Sequence, residues 1–162
     1  MQTINADYID QFLDELDGLD EFQFEARMAE FAAEQPVIFT WLFSEQFDIL
    51  SDDEKDYMRY LALCIWALMK KHGGAQSMAS EDDIGEAEEW VCSVLEEGAN
   101  QPFNERLDPF YEEIADELEE LLVLAEDSVS EDPDDEDPPL VTKEGREPIF
   151  VALMTLIEVL SE

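Results

Sequence analysis

His72 is the single histidine of the chain, and Cys64 and Cys92 are its two cysteines. These are the residue types that could act as nucleophile, base or zinc ligand. Cys64 and His72 are eight residues apart on what reads as one helix. That is about two turns, too far for a thiolate–imidazole hydrogen bond. No Cys-x-x-Cys is present, so a familiar zinc site lacks its fourth ligand. A di-iron helix bundle needs two Glu-x-x-His pairs, and one histidine cannot supply them. Gly-rich phosphate loops and Gly-x-Ser-x-Gly are also missing. The cysteines read as reduced thiols in apolar helical surroundings. His72 follows Lys70 and Lys71 and reads as a cationic partner of a helix C-terminus.

Carboxylates are the other chemical resource. The stretch SVSEDPDDEDPPL, residues 128–140, holds six acids and three prolines. A calcium loop begun at Asp132 puts Asp134 and Glu136 at ligand positions three and five. It then puts Asp137 where the turn needs Gly, and Lys143 where a bidentate Glu is needed. No specific calcium site is expected, and no cofactor. Paired carboxylates also serve glycoside hydrolysis. With 44 acids in 162 residues, however, close pairs are inevitable and identify nothing. The expectation is a protein that is not an enzyme.

The balance of 44 acids against 8 bases gives a formal net charge of −36. Such a surface excludes direct binding to nucleic-acid phosphates, which requires basic residues. At 46% hydrophobic residues the chain still has the means to build a core. The opening MQTINADYIDQF has neither a basic nor an apolar signal region. The longest apolar runs fall short of the roughly 20 residues a spanning helix needs. A cytoplasmic protein without membrane contact is therefore expected; oligomeric state is not legible.

The elements that would position these groups are helices. Tyr8, Ile9, Phe12, Leu13 and Leu16 repeat at three and four and predict a first helix ending near Gly18. A second is expected over Asp20–Glu34, and a third is opened by Pro36 and carries apolar residues as far as Phe47. Ser51 and Glu54 form a capping-box pattern ahead of a long helix that stops at Gly73. From Leu61 to Met69 that helix is apolar on every side, which suits a central position. Ser80 and Asp83 resemble a cap for a fifth helix. A sixth is expected to carry Phe110, Ile114, Leu118, Leu121, Leu122 and Ala125 on one unbroken face. A last helix follows, with Pro148 near its start, and must pack back onto the body. Trp41, Trp66 and Trp90 sit in apolar helical stretches and read as core. QPVIF, QPF and EPIF look alike, but their unequal spacing argues against a repeat. The expectation is an all-α, single-domain bundle over residues 1–162, with about seven helices and antiparallel neighbours. Residues 127–141 form an acidic, Pro-containing flexible loop, and 142–162 a C-terminal helix.

Charge is unevenly placed. Residues 80–137 hold 24 acids and one base, so 23 of the 36 net negative charges lie there. The expected sixth helix presents Glu112, Glu113, Asp116, Glu117, Glu119 and Glu120 along its polar face. Asp132, Asp134, Asp135, Glu136 and Asp137 continue the acidic surface in a segment too charged and Pro-rich to fold alone. The functional expectation is an acidic interaction protein whose 80–137 half binds a basic protein surface. A row of carboxylates along a helix could imitate phosphate spacing, so that surface could be one that normally holds nucleic acid. A helical domain whose acidity serves solubility or a salt-rich cytoplasm is the alternative. An enzyme using paired carboxylates stands further off.

Overall fold

The computed structural model describes residues 3–73, 76–130 and 141–161. Among these residues there are nine α-helices, two 3₁₀ turns and no strand. The helices are α1 (Ala6–Asp17), α2 (Glu21–Glu34), α3 (Pro36–Trp41), α4 (Asp52–Gly73), α5 (Glu81–Glu97), α6 (Phe103–Arg106), α7 (Asp108–Glu113), α8 (Glu119–Val129) and α9 (Lys143–Leu160). The 3₁₀ turns are Glu45–Phe47 and Asp116–Leu118. No helix is long and apolar enough to cross a membrane, among the residues described.

Local chemistry sets most helix starts. The Asn5 side chain accepts from the Tyr8 N–H at the start of α1. Asp20 and Gln23 close a reciprocal capping box on α2, and Ser80 and Asp83 do the same on α5. In α4 the Glu54 N–H donates to Ser51 Oγ, and the Ser51 N–H returns a bond to Glu54 Oε1. Asp52, Asp53 and Glu54 fill the first turn of α4 and Lys70, Lys71 and His72 its last.

Helix α9 is the hub. It packs against α4, α5 and α8, and its side chains from Ile149 to Ile157 are all buried. The apolar middle of α4 meets it, and Leu61, Ile65 and Leu68 are buried as the all-round hydrophobicity predicts. Helices α1 and α2 cover the other side of α4. Trp66 lies 5.0 Å from Phe31 in a stacked pair, and Phe110 and Phe150 join α7 to α9 with centroids 5.6 Å apart. Buried Gln35, between α2 and α3, accepts from the Ala79 N–H and donates to the Ser77 carbonyl, both at 3.0 Å. It fastens the connection that follows α4.

The structure departs from the sequence reading at two places and agrees with it at the last helix. The third helix ends at Trp41, and the chain reaches Phe47 through a turn and a short 3₁₀ element. The sixth helix is broken at Ile114 and Ala115, whose backbones are extended (ψ 144° and 141°). A continuous helix would stack Glu112 on Asp116, Glu113 on Glu117 and Asp116 on Glu120, each an unfavourable like-charge pair. The break relieves this stacking, and the Glu117 carbonyl accepts from the Ile4 N–H at 3.0 Å. The last helix, expected over 142–162, runs Lys143–Leu160 and takes Pro148 into its interior, its sixth residue. Pro36, Pro102 and Pro148 thus occupy three different places, at a first helical residue, an N-cap and a helix interior.

Candidate interaction surface

The expected acidic face is distributed over three elements. Glu112 and Glu113 end α7, Asp116 and Glu117 lie in the second 3₁₀ turn, and Glu119 and Glu120 open α8. Glu112, Glu113, Asp116 and Glu119 are exposed, while Glu117 and Glu120 are half-buried. Among the described residues none of the six is in an ion pair. The break at Ile114 and Ala115 means that they do not form one helical row. A straight ladder imitating phosphate spacing is therefore not what α7 and α8 present. Asp132, Asp134, Asp135, Glu136 and Asp137 lie outside the described residues, as does most of the expected 127–141 loop; α8 itself runs to Val129.

The bases are engaged in holding the fold. Lys70 pairs with Glu30 and Glu34 at 3.1 and 2.5 Å and lies over the Trp66 ring. Lys55 pairs with Asp48 at 3.2 Å. Arg59 sits 3.7 Å from the Phe43 ring centroid. Arg106 donates to the Leu95 carbonyl through Nε and Nη2, capping the end of α5, and also reaches Glu147. Arg146 donates to the Val129 carbonyl at the end of α8. Five of the eight bases thus serve internal joints, and among the described residues most outward carboxylates are in no ion pair.

Glu54 is the exception among the acids. It is 3% exposed, yet its carboxylate accepts from the Ser51 N–H, the Thr142 N–H and Thr142 Oγ1, the last two at 3.0 and 3.1 Å. Burial alone would push this carboxyl up, but those hydrogen bonds outweigh it and hold the group below its ordinary value. One side chain therefore joins the N-terminus of α4 to the cap of α9. Gly145 makes room for it: a Cβ there would lie 2.0 Å from Glu54 Oε2. This is a structural joint, fully hydrogen-bonded, rather than a reactive acid.

The other chemical candidates are placed apart. Burial pushes the Cys64 thiol up to about 12, which makes it a poor nucleophile. Cys92 is half-buried, and burial raises its pKa too. His72 is buried against Tyr8, with ring centroids 4.7 Å apart, and neither of its ring nitrogens has a hydrogen-bond partner. Burial first, then neighbouring Lys71, lowers its pKa. The expected cationic dipole partner is thus a neutral, packed imidazole at pH 7. Among the described residues no three His, Cys, Asp or Glu side chains are grouped to hold a metal ion. The loop considered for calcium lies outside them.

Trp41 is only partly core. It packs edge-on to Phe47 at 5.3 Å, as core, but also lines a hollow of about 490 Å³ between α3 and α5. Periodicity marks Trp41 as apolar and gives no sign of a hollow between α3 and α5. Comparison with protein-family models, curated proteins and solved structures gives no match.

Proposed function

We propose that this protein is a non-enzymatic acidic interaction protein that binds a basic protein surface through its 80–137 half. One observation carries the reading. The fold engages most of its bases in internal joints and leaves Glu112, Glu113, Asp116 and Glu119 exposed without an ion pair among the described residues. A surface of one sign raises the encounter rate of a partner of the other sign and repels wrong partners. A partner face that normally holds phosphates has the required charge, although the broken helix supports charge matching better than geometric imitation of a nucleic acid. The proposal includes a cytoplasmic setting, in keeping with two cysteines that are both free in the fold.

Acidity can also serve solubility alone, and the exposed carboxylates of α1 and α2 favour that second reading. The test compares two triple variants of equal charge change. One is Glu112→Lys, Asp116→Lys, Glu119→Lys; the other is Asp14→Lys, Glu21→Lys, Glu25→Lys. Binding of a labelled Lys/Arg-rich peptide is measured at about 0.1 M and 0.5 M salt. The proposal expects salt-sensitive binding that the first variant weakens by at least about tenfold more than the second. Equal losses would show that only net charge acts, and would leave solubility as the meaning of the acids.

A further inference from the structure

One face of helix α5, with buried Ile84 at its base, borders open space. Glu81, Ile84, Gly85, Glu88 and Cys92 follow at three- and four-residue spacing and line two adjoining hollows. The first, about 490 Å³, has an apolar wall from α3 that includes Pro36, Val37 and Trp41. The second, about 500 Å³, is bounded by Phe47, Ile49 and, from α9, Pro148 and Val151. The two meet at Glu88, whose carboxylate accepts from Gln46 Nε2 at 2.8 Å. Ile49 is 67% exposed at the edge of the second hollow, a large apolar side chain left in water. From Glu81 to Cys92 the trough runs roughly 16 Å, or three helical turns.

Gly85 is the least expected residue here. It lies inside α5, where Gly is about 1 kcal/mol less favourable than Ala. Nothing in the fold demands it, because an added Cβ would meet no atom within 4 Å. A glycine that packing does not require, on the wall of an apolar trough, allows another backbone to approach closely.

The rim is acidic. Glu81, Glu88 and Glu144 border the trough without an ion pair among the described residues, and Glu147 is shared with Arg106. Lys143 is the one base on either lining. This charge rejects a second copy of a chain carrying −36, and it rejects phosphate-bearing surfaces. No strand edge is present among the described residues to pair with an extended peptide.

We propose that the trough between α3, α5 and the start of α9 is the docking site for a short basic amphipathic helix of a partner protein. Its apolar residues enter the two hollows, its backbone passes closest at Gly85, and its Lys or Arg residues face Glu81, Glu88 and Glu144. The inference rests on the proposed basic partner and adds where its binding element sits. The probes are fluorescein-labelled synthetic helices of roughly 14 residues, about four turns. One carries Leu and Phe at helical spacing with Lys and Arg elsewhere. A second keeps the apolar positions and replaces every base with Glu. A third keeps the bases and replaces the apolar positions with Ala. Anisotropy at about 0.1 M salt should show the first binding the full chain at least about tenfold more tightly than either control. Gly85→Leu should weaken that binding by at least about tenfold without lowering the thermal midpoint, since Leu is the better helix former. Backbone amide shifts on titration should centre on residues 36–49 and 81–92. Undiminished binding to Gly85→Leu, or equal binding of the first and third peptides, overturns the docking site. If shifts instead centre on residues 112–120, the trough is wrong and the acidic-surface proposal stands. If the peptide with no bases binds as well as the first, the rim plays no part and the basic partner is refuted.

Discussion

At the scale of single residues, the two most telling groups are a buried acid and a buried base, and their titrations have the same sign. Glu54 is held below its ordinary value of 4.5, so the stability it contributes is present above that value and lost as pH falls through it. His72 is lowered from 6.5, so its contribution is complete above pH 6.5 and is lost as pH falls below it. The His72 part is separable by comparison with His72→Phe, which keeps a ring against Tyr8. Between pH 8 and 5.5 the wild type should lose stability relative to the variant in urea unfolding; a constant difference would mean that His72 does not titrate differently in the two states. Gly145 gives a sharper expectation. Alanine there would drive its Cβ into the Glu54 carboxylate, and the α4–α9 joint would have to open. Gly145→Ala should cost about 2–4 kcal/mol, comparable to breaking a buried hydrogen-bonded charge, as read from the urea midpoint. The Ser51–Glu54 box was legible because its partners are three residues apart. The second duty of Glu54, toward Thr142, was not, because the two are 88 positions apart in the chain.

At the scale of elements, starts were easier to read than interruptions. Helix α5 begins where Ser80 and Asp83 place it, because a cap is a local bond between near neighbours. The break between α7 and α8 coincides with a hydrogen bond from Ile4, more than a hundred residues away in the chain. Apolar periodicity runs unbroken across it, since Phe110, Leu118, Leu121 and Leu122 all reach the core by either route. That misreading carried into the candidate site: the six carboxylates were identified by type and exposure, but not their arrangement. The trough was invisible for a related reason, because its walls come from α3, α5 and α9, which are far apart in the chain. The relative weight of α4 and α9 can be measured. Leu61 and Leu153 are both buried, in α4 and in α9 respectively. Each truncation to Ala should cost about 2–5 kcal/mol, since each residue sits in a helix packed against three others. Loss below about 1 kcal/mol at Leu153 would remove α9 from the centre.

At the scale of the whole molecule, a net charge of −36 works against compaction everywhere at once. Raising salt from about 0.02 M to 0.5 M at pH 7 should therefore raise the melting temperature by about 5 °C or more, as screening shortens the reach of each charge. An unchanged midpoint would mean that repulsion is already relieved within the fold. Fold class was legible at this scale because helical spacing, caps and the lack of strand patterning all agree. Helix α9 has one further consequence. It is the last described helix in chain order, yet α4, α5 and α8 bury their apolar faces against it. A ribosome must release eight described helices before the shared partner of α4, α5 and α8 exists, so the packing of those three waits on synthesis. During that wait the exposed Leu, Phe and Ile faces belong to a nascent chain studded with carboxylates. The same charge that strains the finished protein keeps neighbouring unfinished ones apart.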